Sequence, residues 1–75
     1  MPLNYKALHK ILTSMDYVIT SQKGSHIKYR KWSDSVIVPK HKEIKKWTAS
    51  SILKDMAQQS DTTIDHIKKE WSIKL

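Results

Sequence analysis

A chain of 75 residues with a single glycine has very few ways to turn sharply, and this one places that glycine at Gly24, inside Lys23-Gly24-Ser25-His26-Ile27-Lys28-Tyr29-Arg30. Glycine alone takes a positive φ at no steric cost, so a lone glycine marks a backbone position no other residue fills as cheaply. The run after it alternates. His26, Lys28 and Arg30 share one face of a strand, with Ile27 and Tyr29 on the other. One short stretch thus supplies a turn, a histidine with two cations on one side, and two apolar anchors on the other. This reads as a phosphate-handling site on a small sheet.

The flanking sequence predicts the elements that hold such a sheet. Asn4 is a fitting N-cap for a first helix, with Leu3 and Leu8 at staple spacing and Tyr5, Leu8, Ile11, Leu12 and Met15 forming one apolar face. His9 lies off that face and reads as a surface residue. Asp16 breaks the helical pattern. Tyr17 to Ser21 reads as a first strand with Tyr17 and Ile19 inward. Gln22 to Ser25 forms the turn, and His26 to Lys31 the second strand. Trp32 to Ser35 is a polar turn whose aromatic is expected to pack on its own hairpin. Ser35 to Pro39 is the third strand, with Val36 and Val38 inward. A basic loop from Lys40 to Lys46 leads to a second helix, with Thr48 as N-cap, Trp47 and Ile52 as staple, and Ile52, Leu53 and Met56 as its face. Thr62 and Asp65 approximate a capping box for a short third helix carrying Ile64, Ile67 and Trp71. His66 reads as a rim residue. The expected fold is a single α+β domain over 1–75, in the order α-β-β-β-α plus a short C-terminal helix. Its three-stranded antiparallel sheet has helices on one face only.

Charge narrows the function. The net charge is +7, and Lys23 to Lys46 contains eight bases against two acids. A localised basic stripe points to a polyanion, above all nucleic acid, over a merely solubilising lysine surface. An anionic membrane fits poorly, because the basic segment reads as strands rather than an amphipathic helix. No apolar run approaches the ~20 residues of a membrane span. With no cysteine and no charged-then-apolar signal pattern, the expected home is the cytoplasm. No clustered carboxylates or His/Cys set suggests a metal, and no cofactor is expected.

Gly24-Ser25-His26 with Tyr29-Arg30, then Val36-Ile37-Val38-Pro39 with His41, then Ile44-Lys45-Lys46, Thr48 and Ser51-Ile52-Leu53 form an ordered series. In that series the chain resembles the HicA toxins, small bacterial ribonucleases that cleave messenger RNA and are held by HicB antitoxins. The resemblance covers about residues 5 to 57. It departs at Trp47, where the family usually has glycine, at Ala49, and in the divergent helical tail 58–75. It implies a double-stranded-RNA-binding-like fold and a metal-independent endoribonuclease. The catalytic role carries over to His26 alone; beside it, the residues expected to contact RNA are Lys23, Gly24, Ser25, Lys28, Arg30 and His41. The toxin is expected to be a monomer, drawn into a hetero-oligomer by its antitoxin. RNA carries its own nucleophile, the 2′-hydroxyl, and histidine with an ordinary pKa of ~6.5 suits the base that activates it. The plainer reading of His26 is a turn-end histidine bonded to backbone. The plainer reading of the whole is a non-catalytic RNA-binding module of the same fold.

Pairing of the second and third strands is open at this level. A four-residue loop from Trp32 to Ser35 would set His26 opposite His41, as if to divide acid and base roles. A three-residue loop would set Lys40 there instead.

Overall fold

A computed structural model describes residues 3–73. The elements are α1 (Tyr5–Ser14), β1 (Val18–Lys23), β2 (His26–Lys31), β3 (Asp34–Pro39), α2 (Lys46–Gln59) and α3 (Ile64–Glu70). The strands form one antiparallel sheet in the order β1-β2-β3. The expected small α+β domain with one helix-covered sheet face is what forms.

α1 begins as read: the Asn4 side chain accepts from the Ala7 amide at 2.8 Å, and Leu3 and Leu8 are both buried. Its end uses a device that the sequence does not advertise. Asp16 takes φ +71, its amide donates to Thr13 O, and the Tyr17 amide donates to Leu12 O at 3.0 Å. This is a Schellman arrangement with aspartate where glycine is usual, and its apolar pair, Leu12 and Tyr17, is fully buried. α2 ends the same way, with Asp61 at φ +54 and the Thr62 amide on Ala57 O. So does α3, with Ser72 at φ +54 and the Ile73 amide on Lys68 O.

The inner layer of the sheet is Ile27, Tyr29, Val36 and Val38, all buried. They pack with Leu8, Ile11 and Leu12 of α1, Ile52, Leu53 and Met56 of α2, and Ile67 of α3. Ile19 corrects the expected layer. It pairs with Tyr29 and so points to the helix side, yet it is 48% exposed. β1 is an edge strand exposed along its whole length.

Two caps also differ from expectation. α2 starts at Lys46 after Lys45, without a side-chain cap, and Thr48 lies inside the helix. The staple therefore falls three residues earlier, on Ile44 and Ala49, both buried, while Trp47 is 76% exposed. α3 is capped by Thr63, not Thr62: its hydroxyl accepts from the His66 amide at 3.1 Å. His66 stays on the rim, 3.4 Å from Glu70.

His9 is not a free surface residue. Its Nδ1 lies 2.6 Å from the Tyr29 hydroxyl, which is also 2.9 Å from the Tyr5 hydroxyl. With His9 neutral, Tyr29 donates to Nδ1 and accepts from Tyr5, so one buried hydroxyl is satisfied twice and fastens α1 to the middle of β2. The signal was present as Tyr5 and His9 one helical turn apart, but nothing local said that a strand tyrosine would meet them.

Candidate functional site

The uncovered face of the sheet is built by two tight hairpins. In the first, Lys23 pairs with His26 across a two-residue turn of Gly24 (φ +60) and Ser25. A positive φ at the first central residue only is the pattern of a type II′ turn, which suits the twist of a hairpin. A Cβ added at Gly24 would meet nothing within 4 Å, so glycine is there for its φ and not for space. Gln22 Nε2 braces the turn by donating to Gly24 O at 3.1 Å.

β1 carries an irregularity that shapes the site. Ile19 pairs with Tyr29, but the next pair is Ser21 with Lys28, leaving Thr20 as an extra residue. Such a bulge shifts the alternation by one. Without it Ser21 and Lys23 would follow Ile19 to the inner side. With it they join Lys28 and His26 on the open face. The resulting groove, about 520 Å³, is lined by Ser21, Lys23, His26, Lys28 and Ile37. His26 is exposed, and its ring makes no hydrogen bond with any described residue, so it is not a turn-end histidine held by backbone.

The second hairpin takes neither of the two registers that the sequence left open. Lys31 pairs with Asp34, so the loop is the two residues Trp32 and Ser33, and His26 stands opposite Pro39. Neither His41 nor Lys40 is its cross-strand partner. Two-residue loops are the favoured hairpin connections but usually require glycine, asparagine or aspartate at positive φ. Here Trp32 takes φ +57, and a tryptophan gives no sign of that. Trp32 is 90% exposed and does not pack on its hairpin. Pairing ends at Pro39, after which the Lys40 amide donates to Ser25 O at 2.6 Å. The His41 amide turns back to Pro39 O, and its carbonyl accepts from the Tyr5 amide.

Of the sequence-selected residues, Lys23, His26 and Lys28 come together, with Gly24 and Ser25 forming the adjoining turn. Arg30 is on the same face but four residues along, about 13 Å away at ~3.3 Å per residue, and its Nε donates to Trp32 O at 2.9 Å. His41 is exposed and does not line the groove. Sequence reading missed Ser21 and Ile37: Ser21 reaches this face only through the bulge, and Ile37, 57% exposed, is an apolar residue beside the cations. Among the described residues no cluster of three or more His, Cys, Asp or Glu side chains is placed to hold a metal ion, and no helix is long and apolar enough to cross a membrane.

The architecture and this face define a class: a small α+β domain whose uncovered sheet presents an unbonded histidine between lysines. The sequence model of the HicA toxins of bacterial toxin–antitoxin systems matches residues 5–57, most of the chain. The chain belongs to the HicA toxin family. Membership implies the role of toxin and a cognate antitoxin as partner. Comparison with curated proteins and with solved structures found no significant match.

Proposed function

We propose that this toxin is a metal-independent endoribonuclease that cleaves messenger RNA in the cytoplasm, with His26 as the catalytic residue. The observation that carries this is the unbonded, exposed His26 ring in a groove with Lys23 and Lys28.

RNA placed in this groove meets a base and two cations. Neutral His26 removes the proton of a 2′-hydroxyl, and the 2′-oxygen attacks the adjacent phosphorus. Lys23 and Lys28 stabilise the charge that builds on the phosphorane oxygens. The bond to the 5′-oxygen breaks, and that oxygen takes a proton from solvent on this open face. The products are a 2′,3′-cyclic phosphate and a 5′-hydroxyl. Ser25 and Gly24 offer polar turn atoms to the backbone of the substrate, while Arg30 and His41 contact phosphates further along. The mechanism needs one histidine, in keeping with a His41 that is not its partner across the strands.

The test is chemical. A substrate with a single 2′-deoxy sugar at the cleaved position should resist cleavage, and fragments of the all-RNA substrate should end in cyclic phosphate. Efficient cleavage of the deoxy-substituted strand would overturn the 2′-hydroxyl mechanism.

Silencing follows from the same face. A HicB-type antitoxin should cover the groove with acidic groups toward Lys23 and Lys28 and apolar groups toward Ile37, joining the monomeric toxin into a hetero-oligomer. Against the free toxin, lysine-directed chemical labelling of the complex should be suppressed at Lys23 and Lys28. Full labelling of both in a silenced complex would mean inhibition from elsewhere.

A further inference from the structure

A second groove, of about 390 Å³, is lined by Asn4, Tyr5, Lys6, Lys40 and Lys42. Three of its five lining residues are lysines and none is acidic. Two backbone bonds fix its walls: the Tyr5 amide donates to His41 O at 3.2 Å, and the Ile44 amide donates to Leu3 O at 2.9 Å. These tie the loop after β3 to the start of α1 and bring Lys40 and Lys42 beside Lys6, distant in sequence. The three lysines are exposed, and none pairs with a carboxylate among the described residues. Like charges held together without a counter-charge repel, and an anion shared among them relieves the repulsion.

The position of this groove says which anion fits. The Lys40 amide is bonded to Ser25 O, the residue before His26, so the second groove adjoins the turn end of the first. Pro39, which stands opposite His26, leads directly into Lys40.

We propose that the Lys6–Lys40–Lys42 groove is a second phosphate subsite, which takes a backbone phosphate of the same single-stranded RNA that occupies the His26 groove. The assignment rests on the proposed ribonuclease reading. It adds a contact away from the reacting phosphate and accounts for lysines that the reaction does not use.

The test measures RNA binding in a His26→Ala background. The probe is a fluorescently labelled single-stranded RNA of about ten nucleotides, titrated between about 0.05 and 0.2 M salt. Changing Lys6, Lys40 and Lys42 together to glutamine should lower the log–log salt slope by about 0.7 for the phosphate lost, and weaken binding about fivefold at ~0.1 M salt. A charge-matched control changes Lys10, Lys54 and Lys69, which are exposed outside the groove, and should keep the parent slope. An unchanged slope in the groove variant, or an equal loss in the control, overturns the subsite while leaving the His26 reading intact. A His26→Ala parent that does not bind RNA at all removes both. Circular dichroism of each variant confirms the fold, which three exposed side chains do not support.

Discussion

The two hairpin turns place a positive φ at the same position with opposite side chains: Gly24 at φ +60 and Trp32 at φ +57. An L-residue in the left-handed region costs about 1–2 kcal/mol. Gly24→Ala takes on that strain, since space is free and only the backbone objects, and recovers the ~0.5–1 kcal/mol of unfolded-state freedom that glycine carries, for a net cost of up to about 1.5 kcal/mol. Trp32→Gly removes the same strain and adds the unfolded-state freedom of glycine, ~0.5–1 kcal/mol. With Trp32 90% exposed, little burial is lost. The net gain is therefore up to about 1.5 kcal/mol. The Arg30 bond to Trp32 O goes to backbone and survives the change. For a domain of this size, 1 kcal/mol moves Tm by about 4–8 °C. Thermal melts should thus show Gly24→Ala falling and Trp32→Gly rising, each by up to about 12 °C. A Trp32→Gly protein less stable than the parent would refute the reasoning, because it would mean that the indole contributes packing to the hairpin.

Two further outcomes follow from the inner layer. Tyr29→Phe removes a buried hydroxyl that bonds both His9 and Tyr5, and should cost about 1–3 kcal/mol in chemical denaturation; a cost below ~0.5 kcal/mol would mean the two bonds fasten nothing. Burial, and then the bond with Tyr5, raises the Tyr29 phenol above its ordinary value of 10.0, and burial raises Tyr17 likewise. The folded protein then holds protons that the unfolded chain releases, so stability is level with respect to these groups below about pH 10 and falls as pH rises beyond it. Alkaline titration of the unfolding midpoint checks this, and a midpoint that rises above pH 10 would contradict it.

The fold was legible where the hydrophobic period was strong: α1, its Asn4 cap, and the inward Ile27, Tyr29, Val36 and Val38 follow from spacing alone. What stayed hidden was the backbone at positive φ. Asp16, Trp32, Asp61 and Ser72 take the conformation usually signalled by glycine, so the left-handed helix caps and the second hairpin loop carried no marker, although Asp16 itself marked where α1 stops. That is why spacing alone left the β2–β3 register open between His41 and Lys40, while the two-residue loop sets Pro39 opposite His26. The Thr20 bulge was equally silent, because an extra residue in an edge strand exposed on both sides leaves no break in a hydrophobic pattern, although it brings Ser21 and Lys23 to the site. The His9 brace and the Ile44 staple depend on contacts between distant segments, which local spacing does not encode.

The central claim is that His26 performs chemistry rather than holding the turn. The direct measurement is the single-turnover cleavage rate of His26→Ala beside its RNA affinity and Tm. Because His26 is exposed and its ring is unbonded, affinity and Tm should stay near those of the parent. Loss of the general base should lower the rate about 10²–10⁴-fold. A His26→Ala protein that cleaves at the parent rate would contradict the account, leaving an RNA-binding face without a catalytic histidine.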